Sequence, residues 1–292
     1  MRSGVAFVGL ICIFAMAPIA AGSAPAAETT PVPDLSGSWA RVTFAYEWPQ
    51  SGPGPIGSVN GRRGLVGNYK SPTLRPEAAA LVKQRAETLL AGADYPTPSN
   101  RCLTMVSPYL IRVQEVQVLQ KADEVIFLYM QDHQVRRVRL NRPHPANVPP
   151  SLYGDAVGHY EGGTLVVDTV GVKVGEVPIL DMYGTPYSEA LHVVERYRLV
   201  DYEAAKEAQA RNLRDSGPVA TEQGASIDED YKGKGLQVQF TVEDRNVFTT
   251  PWSAGATYRR AADWVENVCA ENTHEYYNNS VTKVPEAAKP DF

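Results

Sequence analysis

Between Ile111 and Ala262 the chain consists of short runs of alternating apolar and polar residues, interrupted at close intervals by Gly, Pro, Asn and Asp. That rhythm restricts it to antiparallel β architecture. The clearest run puts Leu236, Val238, Phe240 and Val242 on one face and Gln237, Gln239, Thr241 and Glu243 on the other, the signature of a half-buried sheet. Strands are also expected over Trp39–Trp48, Ile111–Leu119, Glu124–Gln131, His133–Leu140, Val157–Glu161, Thr164–Val170, Glu189–Leu199 and Ala256–Ala262. Lys121-Ala122-Asp123 and Glu161-Gly162-Gly163 read as hairpin connections, which only antiparallel neighbours use. The expected fold is mainly β: a single antiparallel barrel, or a strongly curved sheet. Closure would remove the exposed edges that so many strands create.

Helix signals are few. Arg75 to about Ala91 reads as a helix, with Pro76 in its first turn, an apolar stripe of Leu81, Val82, Leu89 and Leu90, and Gly92 as a stop. Ser51 to Ser71 is a Gly/Pro-rich loop long enough to serve as a lid. A polar insertion, Tyr202 to Lys234, starts as a helix and ends as a Gly/Asp-rich loop.

Residues 1–26 have the layout of a secretory signal: Arg2, an apolar run from Val5 to Ile19, then small residues around Ala20–Ala27. The expected mature chain is one β-rich domain, 27–292, periplasmic or secreted, with no later segment able to span a bilayer. Removal of the signal takes Cys12 with it and leaves Cys102 and Cys269. In an oxidising compartment these allow one disulfide, the alternative being two free buried thiols. A net charge of −5 argues against a nucleic-acid partner. The cluster Arg136, Arg137, Arg139 and Arg142 reads as a solvated strand face.

Five histidines, His133, His144, His159, His192 and His274, show no metal-ligand spacing, and no glycine-rich phosphate loop is present, so neither metal nor cofactor is expected. On the strand from Glu189, alternation puts Glu195 and Tyr197 among apolar residues and His192 on the opposite face with Arg196 and Arg198. Glu195 is then either an acid with a pKa raised by burial or half of an ion pair with a buried arginine of a neighbouring strand. His192 either faces the lumen or lies on the surface. His159 and Glu161 share a face at a hairpin end, an acid–base couple or a solvated polar end. Asp168 stands on the strand after that hairpin.

Several segments resemble a large family of exported bacterial proteins of unknown function. They are Pro33-Asp34-Leu35-Ser36-Gly37-Ser38-Trp39, Glu161-Gly162-Gly163-Thr164-Leu165-Val166-Val167-Asp168-Thr169, Ser188-Glu189-Ala190-Leu191-His192-Val193-Val194-Glu195-Arg196, Pro251-Trp252 and Cys269-Ala270-Glu271-Asn272. The resemblance covers nearly all of the mature chain and implies no activity. Around the hairpin this chain departs from the family pattern, with Asp155 in place of histidine, Tyr160 of tryptophan, Gly163 of aspartate and His159 of arginine. Gly37-Ser38-Trp39 also resembles the opening of lipocalin and other calycin barrels, which implies an arginine, Arg259 or Arg260, stacked over Trp39.

Three functional readings follow. The first is a barrel whose lumen binds a small hydrophobic or aromatic molecule, with Tyr160, Tyr197, Trp252 and Asp168 as binding residues. The second is a cofactor-free lyase, hydratase or isomerase using His192, Glu195, His159 and Glu161. The third is an interaction protein with a filled barrel. A carrier requires an apolar interior, an enzyme requires titratable groups converging on one cavity, and a filled barrel lacks a cavity of about 300 Å³.

Overall fold

The computed structural model describes residues 31–59, 64–112, 115–132, 134–216, 226–264 and 268–269, together with Met1 and Gly4. The chain divides into two units, 1–30 and 31–292. The expected signal segment, His133, His274 and the motif after Cys269 lie outside the described residues. Among the described residues no helix is long and apolar enough to cross a membrane.

Nine strands close into a barrel in chain order. They are β1 (Gly37–Ala40), β2 (Glu115–Gln120), β3 (Glu124–Tyr129), β4 (Val135–Leu140), β5 (Asp155–Glu161), β6 (Thr164–Val170), β7 (His192–Val200), β8 (Gly235–Glu243) and β9 (Trp252–Arg260). Closure is made by β1 on β9, with Trp39 opposite Arg260. Both expected hairpins join antiparallel neighbours, β2 to β3 and β5 to β6. One pair departs from expectation: β4 and β5 run parallel, with Arg139 opposite Val157. Parallel neighbours need a crossover rather than a hairpin, and residues 141–154 supply it, fixed by Asn141 N–H to Gly158 O at 2.8 Å.

The strand expected over Trp39–Trp48 ends at Ala40. Arg41 turns inward there, 1% exposed, and its guanidinium donates to the carbonyls of Ile111, at 3.1 Å, and Ala45. The backbone leaves the ladder to deliver the Ala45 carbonyl and rejoins β9 at Glu47, whose N–H reaches Gly255 O at 2.7 Å. Ile111 likewise belongs to a 3₁₀ turn, Tyr109–Arg112, and not to a strand.

Helix α1 (Pro76–Leu90) forms as expected but buries Ala78, Val82 and Ala86, leaving Leu90 exposed. Small residues at four-residue spacing let the helix approach closely. A Cβ on Gly67 would stand 2.8 Å from Val82 Cγ1. In the described part of the 51–71 loop Ile56 and Ser58 are buried, and Ser253 N–H bonds Pro53 O at 2.9 Å, so this segment is packed onto the barrel. Helix α2 (Tyr202–Ser216) lies on the outside against β8 and β9. Its buried Gln209 donates to Ala40 O and Thr257 O, at 3.0 and 3.1 Å.

Of the two candidate arginines, Arg260 covers Trp39, its guanidinium carbon 4.1 Å from the ring centroid, while Arg259 pairs with Glu229 at 2.7 Å. Gly37 makes the stack possible: its φ is +121°, and a Cβ there would fall 1.7 Å from Arg260 Nη1. Gly37→Ala is expected to cost about 1–3 kcal/mol, from left-handed strain plus a displaced guanidinium. Thermal unfolding of G37A checks this, and the added change Arg260→Ala should recover only the steric share.

Candidate functional site

The lumen is filled. Val118, Val125, Val138, Leu165, Val167, Val193 and Val238 have no accessible surface, and Phe127 has 1%. A void admitting water would leave accessible surface on its walls, so none adjoins these side chains, and the open apolar lumen expected from the sequence is absent at their level.

At the centre of the packing lies an ion pair. Glu195 and Arg136 are 0% and 1% exposed, with Nη2 2.7 Å from Oε2 and Nη1 3.0 Å from Oε1. Ser107 Oγ donates to the same carboxylate, and Arg136 Nη2 donates to Thr169 Oγ1 at 2.7 Å. Arg136 therefore does not belong to a solvated face. On β4 it alternates inward with Val138 and Leu140 while Arg137 and Arg139 point out. Glu195 takes the ion-pair alternative, although its partner comes from β4 across the barrel and not from an adjacent strand.

Desolvation lowers the Arg136 pKa, but the charge of Glu195 and the nearby tyrosines outweigh it and hold the pKa above the ordinary arginine value. Burial pushes the Tyr197 and Tyr129 hydroxyls well up and Tyr258 to about 12, so all three stay protonated at neutral pH. Tyr197 and Trp252 are both core residues, 3% and 1% exposed. Tyr160 is half-buried, its hydroxyl 2.6 Å from Gln120 Nε2.

Helix α2 covers part of β8 and β9, while the outer face of β5 to β7 carries polar side chains. His192 lies here, pointing away from Glu195, with its Nε2 2.9 Å from Asp168 Oδ1. The same oxygen is 3.3 Å from His144 Nε2, whose Nδ1 is 2.7 Å from Asp155 Oδ2. Asp155 also accepts from Arg139 at 2.6 Å, and Glu243 stands 3.8 Å from His192 Nδ1. His159 and Glu161 meet at 2.7 Å on the surface, with Arg196 2.8 Å from Glu161. The Arg196 and His159 hydrogen bonds hold Glu161 below the usual carboxylate pKa. Thus His192 joins Asp168, His159 joins Glu161, and Glu195 joins neither. Among the described residues no group of three or more His, Cys, Asp or Glu is arranged to hold a metal ion.

Beside this network runs a cleft of about 730 Å³. Its floor is the outer face of β7, β8 and β9, including Val194, Gln239, Thr241 and Ser253; its walls are α2, through Arg211, and the segment around Trp48. Val194 pairs with Asp168 across the β6–β7 ladder, so the histidine chain borders the cleft. Arg198 projects into it with its Nε and Nη2 bonded to Gln237 Oε1 at 3.0 and 2.7 Å.

Sequence reasoning missed His144, Arg211 and the cleft itself. His144 arrives on the crossover between parallel strands, and Arg211 arrives on a helix folded back over β8 and β9. Neither placement leaves a periodic signal. The chain matches no protein-family model, no curated protein and no solved structure.

Proposed function

We propose that this is an exported binding protein whose ligand seat is the outer cleft of β7 to β9, and that the ligand is small and polar. The observation that carries the reading is the contrast between a lumen whose walls have no accessible surface and an external cleft of about 730 Å³ lined by hydrogen-bonding side chains. That volume lies in the range of small-molecule sites. It moves the ligand from the lumen to the outside, and from hydrophobic to polar. Export rests on the layout of residues 1–26.

Thr241→Trp tests the site, because an indole on the cleft floor displaces the ligand without touching the core. Native mass spectrometry of the protein isolated from periplasm should show a co-purifying small molecule that is lost in T241W, with Tm unchanged within about 3 °C. Equal retention by both proteins would remove the cleft from consideration.

A second reading, acid–base catalysis at the same place, is favoured by the His192, Asp168 and His144 chain at the edge of the cleft. Asp168 orients the imidazole of His192 as a base requires. Conversion of the bound compound by wild type and not by His192→Gln would select it over simple binding.

A further inference from the structure

Three arginines open on the cleft, and they are not equivalent. Arg196 is neutralised by Glu161 at 2.8 Å. Neither Arg198 nor Arg211 makes an ion pair within 4 Å among the described residues, although Glu47 and, one turn from Arg211 on α2, Asp215 also line the cleft. Arg198 is nevertheless oriented by a relay of side chains. Its Nε and Nη2 share Gln237 Oε1; Gln237 Nε2 donates to Thr257 Oγ1 at 3.2 Å; and that hydroxyl donates to Glu47 Oε2 at 3.1 Å. The relay consumes one edge of the guanidinium and leaves Nη1 uncommitted. A fixed fork with a free edge is how arginine receives a carboxylate, because the side-chain entropy is already lost before the ligand arrives.

Beside Val194, the floor presents hydroxyl and amide groups. Thr241 Oγ1 and Ser253 Oγ lie 2.9 Å apart, and Gln239 stands beside them, a set that both donates and accepts. Trp48 on the wall adds an aromatic surface. Hydrogen-bonding side chains beside Arg198 and Arg211 fit a molecule that carries many hydroxyls and one anionic group.

Resting on the cleft as the ligand seat, we propose that the ligand is a sugar acid. Arg198 and Arg211 receive its carboxylate, while Gln239, Thr241 and Ser253 bind its hydroxyls.

Isothermal titration calorimetry with D-galacturonate, D-galactose and inorganic phosphate tests this on the full mature chain and on Arg198→Gln, Arg211→Gln and Thr241→Trp. The expected result is that galacturonate binds at least tenfold more tightly than galactose, which lacks the charged hydrogen bonds to the arginines, and than phosphate, which lacks the sugar hydroxyls. R198Q and R211Q should each weaken galacturonate about tenfold or more without changing the affinity for galactose, and T241W should abolish both. Equal binding of the two sugars, abolished by T241W, would overturn the carboxylate assignment and leave the cleft in place. Phosphate binding as tightly as galacturonate would reduce the site to a general anion seat and overturn the sugar. Binding undisturbed by T241W would remove the cleft reading itself, and failure of both sugars to bind at 10 mM would overturn the sugar-acid proposal.

Discussion

Arg136→Met is expected to destabilise the protein by about 3–5 kcal/mol, because it strands the Glu195 carboxylate in a lumen where both partners are 0–1% exposed. For a domain of this size that corresponds to a drop in Tm of roughly 6–20 °C. The double variant Arg136→Met with Glu195→Leu should recover most of the loss. Two desolvated charges give back little of the cost of taking them out of water, and here the geometry is incomplete: Arg136 Nε finds no hydrogen-bond partner. Apolar side chains of similar volume would remove that orphan donor as well as the charges. Chemical denaturation of the two single variants and the double closes the cycle. A double variant as unstable as R136M alone would mean that the pair stabilises the barrel outright, and a double variant as unstable as the sum of the singles would mean that the two side chains are not coupled.

The arginine shows where a sequence reading stops. Alternation made the β7 faces legible, so the inward direction of Glu195 and the outward direction of His192, Arg196 and Arg198 follow from period-two geometry, and both hairpins follow from their turn residues. Arg136 was hidden by its neighbours, since Arg137 and Arg139 really do point outward and make the run look solvated. Its burial is visible only once Glu195 is known to sit opposite it across the lumen, a contact between strands that are not ladder neighbours. The same holds for the site. His192 and Asp168 were separate candidates, and the bond between them depends on the β6–β7 register. The cleft depends on α2 folding back over β8 and β9, which no local pattern encodes. The early end of the first strand at Ala40 has a similar cause: the buried Arg41, held by the distant Ile111 carbonyl and the nearby Ala45 carbonyl, overrides aromatic and β-branched propensity.

The remaining large effect concerns the disulfide. Cys102 and Cys269 are bonded across a sequence separation of 167 residues, for which the chain-entropy relation gives about 5 kcal/mol of stabilisation. Replacing both cysteines with serine is expected to lower the unfolding free energy by about 4–5 kcal/mol; serine keeps a Cβ at position 102, so the left-handed φ of +48° there costs the variant as much as the wild type. The kinetics separate the mechanism from ordinary contact loss. A tether that acts by restricting the unfolded chain should, when cut, slow refolding and increase the denaturant m-value while leaving the unfolding rate nearly unchanged. If the unfolding rate instead rises by two orders of magnitude, the bridge acts through native contacts. The candidates are the Cys269 N–H on Asp132 and the packing around the Ser99 carbonyl, 3.4 Å from its sulfur. Reduction of the wild type under native conditions, followed by urea unfolding, should give the same change in midpoint as the double serine variant.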